Sequence, residues 1–241
     1  MGAEEYLARM RIDKYISNNT SLSRKQTKQA LKAGDVLVND VMVTDPKYVV
    51  QESDRVRLSG MVIVPSGPRY FMLNKPPGYV CANRDSQHPT VMSLLLEDEP
   101  ENMHVAGRLD VDTTGLVLIT DDGQWSHRIT APKLKLNKHY RVWLDQPMDE
   151  SVETVFREGI LLKNELKRTR PAELIRRSET EADLTIREGK YHQVKRMFAA
   201  VGNHVQQLHR YRIGDIVLDP TLQPGDYRPL NATEINSVGD Q

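Results

Sequence analysis

Apolar residues in this chain recur with two periods, and the two alternate along its length. Near the start, Ile12, Tyr15 and Ile16 fall at helical spacing and predict a short helix over Arg11–Asn18. Ser21-Leu22-Ser23 offers N-caps for a second helix, Arg24–Ala33, and Gly34 supplies its C-terminal stop. Val36-Leu37-Val38 and Val41-Met42-Val43 flank Asn39-Asp40, which predicts a hairpin, and Arg55–Leu58 alternates as a further strand. Farther on, Tyr70–Leu73 reads as a strand, followed by a Pro-Pro-Gly turn and a returning strand, with a helix over Thr90–Leu96. Leu116-Val117-Leu118-Ile119 is a run of four branched apolar residues, the signature of a strand buried on both faces. The Asp122-Gly123 pair after it signals a hairpin turn. A helix over Gln124–Thr130, a strand over Lys138–Leu144, a helix over Ser151–Glu158 and a strand over Glu181–Glu188 follow. Val194, Met197, Phe198 and Val201 form the core stripe of a helix over Tyr191–Val201, and His204–Ile213 and Asp215–Leu218 complete the pattern as strands.

At 241 residues the chain exceeds one average domain. Pro65-Ser66-Gly67-Pro68 supports no core element, so residues 65–68 are expected to link a small domain at 10–64 to a larger one at 69–238. Residues 1–9 read as an extension ahead of a second possible start at Met10. They carry no apolar signal segment, and no run of about 18 apolar residues exists to span a membrane. The single cysteine, Cys81, excludes an internal disulfide and a cysteine-rich zinc site and fits a reducing cytoplasm.

Thirty-three cations balance thirty-three acids, but they are unevenly spread. Ser21–Ala33 holds Arg24, Lys25, Lys28 and Lys32 and no acid. His127–Arg141 is equally basic, and in Arg187–Arg212 six cations face Glu188 alone. On the second helix Arg24, Lys28 and Lys32 stand at i, i+4 and i+8, a basic ridge. A positive face on a neutral protein suits a polyanion such as RNA.

The chemistry gathers in Val105–Gly123, VAGRLDVDTTGLVLITDDG, where a polar loop carrying Arg108 and Asp110 runs into the buried strand. Taken alone, G-R-L-D is an ordinary loop. The longer string resembles the central motif of the pseudouridine synthases, and more closely the branch that modifies small-subunit (16S) rRNA. Three further stretches resemble that family in order: Y-F-M-L-N-K-P-P-G-Y-V from Tyr70, K-H-Y from Lys138 and E-G-K-Y-H-Q-V-K-R-M-F from Glu188. Residues 10–64 resemble an S4 RNA-binding domain through M-R-I-D-K-Y-I, L-S-R and K-A-G-D-V-L-V-N-D.

The resemblance implies an α+β protein: a small S4-like domain, then a catalytic domain with a bent, mainly antiparallel mixed sheet flanked by helices. It implies that Asp110 is the nucleophile, that Tyr140 lies against the target base, and that Lys195 keeps the carboxylate ionised and oriented, with Arg196 the competing choice. Arg108 would fill the space left by a flipped-out uridine, while Arg24, Lys28, Lys32 and Arg196 would contact RNA phosphates. No organic cofactor or metal is implied. The expected partner is small-subunit rRNA or a part-assembled small subunit, met by a cytoplasmic monomer away from membranes. Two other readings of the residues stand beside this one: a Mg²⁺-dependent nuclease using Asp110 and Asp112, and a non-catalytic assembly factor that only binds rRNA. A retaining glycosidase would need a second carboxylate, and none stands out.

Overall fold

The computed structural model describes residues 10–238, apart from 21, 52, 66, 98–99 and 132–135. The expected extension at 1–9, the cap candidate Ser21, Ser66 of the Pro65–Pro68 segment, and Lys133 and Lys135 lie outside that set. The chain divides into two compact units, one ending at Arg69 and the other beginning at Tyr70.

In the first unit, strand β1 (Met10–Arg11) leads into helix α1 (Ile12–Asn19), and helix α2 spans Arg24–Ala33. Ser23 and Gln26 cap α2 reciprocally: the Ser23 hydroxyl accepts from the Gln26 N–H and the Ser23 N–H donates to Gln26 Oε1. Thr27 and Leu31 face inward, while Arg24, Lys28 and Lys32 are exposed on the same helix. Strands β2 (Val36–Val38) and β3 (Val41–Met42) form the expected hairpin, and β4 (Val49–Val50) pairs with β1. Both turn residues, Asn39 and Asp40, have positive φ (51° and 65°), the geometry that lets a two-residue turn follow strand twist. β5 (Val56–Leu58) and β6 (Met61–Val62) make a second hairpin that the hydrophobic pattern alone did not single out. Their sheet runs β3-β2-β5-β6.

The second unit is built on a mixed, mainly antiparallel sheet. Its strands are β7 (Tyr70–Lys75), β8 (His104–Ala106), β9 (Thr114–Thr120), β10 (Lys138–Leu144), β11 (Glu173–Arg176), β12 (Glu181–Ile186), β13 (Val205–Ile213), β14 (Ile216–Val217) and β15 (Tyr227–Pro229). The order is β11-β12-β10-β13-β9-β7-β15, and β9 with β13 is the parallel pair. Every residue of β9 from Gly115 to Thr120 is buried, as four branched residues in a row require.

Helix α3 (Gly123–Thr130) covers one face of the sheet, with Trp125 and Ile129 against Met72, Leu116 and Leu118. Helices α4 (Val152–Glu158) and α5 (Gln193–Ala200) belong to the other face, where Phe156 and Phe198 meet edge to face at 5.1 Å. A short C-terminal helix, α6 (Ala232–Asn236), joins the α3 side.

Three local readings are corrected. Asp122-Gly123 makes no hairpin: the Asp122 carboxylate accepts from the N–H groups of Gln124 and Trp125 and starts α3, so capping wins over turn formation. The expected helix over Thr90–Leu96 shrinks to a 3₁₀ turn, Val91–Leu94. The strand expected after Pro-Pro-Gly is reduced to one bridge, Val80 to Thr90.

Candidate active site

One cross-strand row organises the second unit. Leu184, Tyr140, Arg210, Gly115 and Lys75 are successive partners across β12, β10, β13, β9 and β7. A register shift between His139 and Tyr140 re-aims Tyr140, which is 7% exposed and lines a cavity of about 870 Å³.

The loop from Gly107 to Thr113 crosses this row and is held from beneath by two buried cations. The Arg210 guanidinium, 1% exposed, donates to the carbonyls of Leu116 (2.8 and 3.0 Å), Gly107 (2.6 Å) and Arg108 (3.4 Å). The fully buried Lys75 ammonium donates to the carbonyls of Pro76, Val111 and Thr113 at 2.8–3.1 Å. Burial lowers the Lys75 pKa, partly offset by the nearby Cys81, Asp112 and Asp110. Cys81 takes a small structural part: its sulfur accepts from the Leu109 N–H at 3.3 Å. Carbonyls that face a core need donors, and here both ends of one loop receive them from charged side chains.

This support sets Asp110 at the cavity wall. Its Oδ2 lies 3.2 Å from Lys195 Nζ and its Oδ1 3.4 Å from His192 Nε2. Lys195 also reaches Asp112 Oδ1 at 2.5 Å, so two carboxylates share one ammonium. Burial pulls the Lys195 pKa down, but the Asp112 and Asp110 carboxylates outweigh it and the net shift is upward. Burial works likewise against the charged form of Asp112, and its Lys195 hydrogen bond reverses that, leaving the carboxyl below its ordinary value. Lys195 occupies the position between Asp110 and Asp112 that the nuclease reading would give to a divalent cation.

Lys195 and Arg196 are cleanly separated. Arg196 turns to Glu165 Oε1 (3.1 Å) and to the carbonyls of Tyr191 and Lys163. Arg108 is exposed and lines the same cavity as Asp110 and Tyr140. Arg24, Lys28 and Lys32 belong to the other unit.

Sequence reasoning missed Lys75, Arg210, His192 and Lys138 as parts of this site. A cation at the end of the apolar run of β7 and another within the alternating pattern of β13 were the available signals. His192 carried none: its place just ahead of α5, with φ of 46°, is visible only in the structure.

Lys138 lies in the cavity wall, where burial and then the Arg210 charge lower its pKa from 10.5 to about 8. Below pH 8 the folded state therefore holds a desolvated cation that the unfolded state solvates. Lys138→Met is expected to raise the melting temperature at pH 7 in the absence of RNA. That gain should fade as pH rises from about 8 towards 10.5, because the folded state then holds a neutral amine. Thermal melts of both proteins at pH 7 and pH 10 check this; a gain independent of pH would contradict the depressed value.

Residues 69–200 match the RNA pseudouridylate synthase family and residues 10–56 match the S4 domain. The chain is 53% identical over 231 residues to a ribosomal small subunit pseudouridine synthase A of Vibrio parahaemolyticus, covering 95% of this chain and 99% of that one. It is 49% identical over 230 residues to the protein of that name from Escherichia coli K12, covering 95% and 100%. A solved pseudouridylate synthase superposes with a TM-score of 0.70 at 46% identity, covering 95% of this chain and 99% of that one. With its sheet, its central motif and most of its length matched in this way, the chain belongs to the RNA pseudouridylate synthase family.

Proposed function

We propose that this protein isomerises one uridine of small-subunit rRNA to pseudouridine, with Asp110 as nucleophile. The reading rests above all on the Asp110 carboxylate, paired with Lys195 at 3.2 Å and facing a cavity walled by the Tyr140 ring. The names of the small-subunit relatives support the substrate class.

The reaction breaks the N1–C1′ bond, turns the uracil and joins C5 to C1′. The C5 proton is lost to solvent and N1 gains one, so nothing is oxidised or reduced. The freed base must be kept in place throughout. Tyr140, held between two strands, offers a fixed ring face for it. Lys195 keeps the carboxylate charged and aimed at the sugar–base unit. A uridine reaches such a cavity only if it leaves the helical stack, and Arg108 at the cavity wall can occupy the gap or hold a phosphate. The exposed Arg24, Lys28 and Lys32 ridge of α2 would contact rRNA phosphates without reading sequence. The protein would act as a cytoplasmic monomer, on naked rRNA or on a part-assembled subunit.

The test is release of tritium from C5-labelled small-subunit rRNA, offered as naked RNA and as ribosomal particles, with no added metal. Release establishes the substrate. Binding without release from either form would favour the assembly-factor reading, and Mg²⁺-dependent chain cleavage the nuclease. Lys195→Met should slow single-turnover conversion at least about 100-fold. Arg196→Met should slow it far less, because Arg196 is turned to Glu165. Equal losses in the two variants would assign the pairing role wrongly.

A further inference from the structure

The loop leading into α5 carries a feature that the isomerisation chemistry leaves unused. The Tyr191 ring stacks on the His192 ring, with centroids 3.8 Å apart and planes 19° from parallel. Tyr191 is nevertheless 76% exposed, the one aromatic among the strongly exposed large apolar side chains of the described residues.

Nothing about the loop is loose. Gln193, itself buried, donates to Glu188 Oε1 at 2.8 Å and accepts from the Lys190 N–H at 2.9 Å. Lys190 Nζ reaches Glu165 Oε2 at 2.6 Å, and Arg196 binds the other oxygen of Glu165. Arg196 also donates to the Tyr191 carbonyl at 3.0 Å, so both flanks of Tyr191 are tied to one carboxylate and its own backbone is pinned. His192 is held with φ of 46°, a conformation that non-glycine residues adopt at a cost, and its Nε2 stands 3.4 Å from Asp110. A rigid loop thus displays a two-ring stack whose inner ring touches the candidate nucleophile and whose outer ring meets solvent.

We propose that the Tyr191–His192 stack is a base-stacking platform for the nucleotide that flanks the target uridine. Resting on the RNA reading above, it adds a second base subsite to the same cavity. A base lying on Tyr191 would sit about 3.4 Å beyond its ring, the ordinary stacking step. His192 adjoins both Tyr191 and Asp110, which sets the platform beside a uridine held at Asp110. Lys190, Lys195 and Arg196 are each engaged by carboxylates, but the exposed Arg108 and Arg187 line the same cavity and can meet the connecting phosphates. Every base has a π-face, so the platform anchors the strand without choosing its sequence.

The test is a coupling measurement by equilibrium binding at one fixed salt concentration. The probe is a short single-stranded RNA with one central uridine, intact or with an abasic nucleotide on either side of it. Tyr191→Ala should weaken binding of the intact RNA about 5- to 150-fold, and Tyr191→Phe should restore it. At one of the two flanks, loss of the base should weaken the wild-type protein by a similar factor and leave Tyr191→Ala unaffected. An abasic penalty equal in both proteins at both flanks would overturn the platform, as would wild-type affinity in Tyr191→Ala. Binding reads the platform whether or not that RNA turns over. Tritium release from rRNA reads the substrate assignment separately, so the two failures can be told apart.

Discussion

Asp110→Asn is expected to reduce pseudouridine formation by more than about 10⁴-fold while RNA affinity stays within a few-fold of wild type. The amide has nearly the shape of the carboxylate, and the loop that carries it is fixed by donors to its carbonyls rather than by the Asp110 side chain. The exchange therefore removes the charge and the nucleophile and leaves the scaffold. Lys195 keeps Asp112 as its partner at 2.5 Å, so its ammonium is not stranded. Single-turnover tritium release and a binding isotherm on the same RNA make the comparison. A residual rate within about tenfold of wild type would remove Asp110 from the nucleophile's role and turn attention to Asp112.

Gly115→Ala should have the largest effect on stability. Gly115 has φ of 98°, a conformation that costs an L-residue about 1–2 kcal/mol, and a Cβ built there would lie 2.2 Å from the Arg210 carbonyl oxygen. That atom is backbone of the neighbouring parallel strand, so no side-chain rotation relieves the clash. Separating β9 from β13 at this register would also pull the Arg210 guanidinium from the carbonyls of Gly107 and Leu116. A loss above about 3 kcal/mol follows, lowering the melting temperature of the larger unit on the order of 10 °C. Activity should fall in the protein that remains folded, because the displaced loop carries Asp110. A melt within about 2 °C of wild type would mean that the two strands have slack, contrary to the tight approach seen here.

Much of the local structure was legible because it depends on neighbours in sequence. The bounds of α2 follow from the Ser23–Gln26 cap and Gly34, and the burial of β9 follows from its four branched residues. Asp110, Tyr140 and Lys195 were legible through resemblance to family motifs, and the fold brings all three to one cavity. What escaped depends on register between distant segments. Nothing local in H-R-Y-R-I says that Arg210 faces Gly115 and reaches back to Gly107, about a hundred positions earlier. Lys75 was hidden for the same reason: a cation ending an apolar strand looks like a boundary until the carbonyls of Val111 and Thr113 are seen above it. The choice between Lys195 and Arg196 needed a third element, Glu165, to claim one of them.

The pairing of β13 with β9 also dictates an order of assembly. The central motif emerges from the ribosome well before residues 205–213, so the loop that carries Asp110 spends part of synthesis without Arg210 beneath it. Long-range parallel pairing forms late, because the intervening chain must first be gathered. A nascent chain stalled before Val205 would thus contain Asp110, Tyr140 and Lys195 and still lack the finished cavity that they line. The cavity is complete only when β13 slides in beside β9, a strand made some ninety residues before.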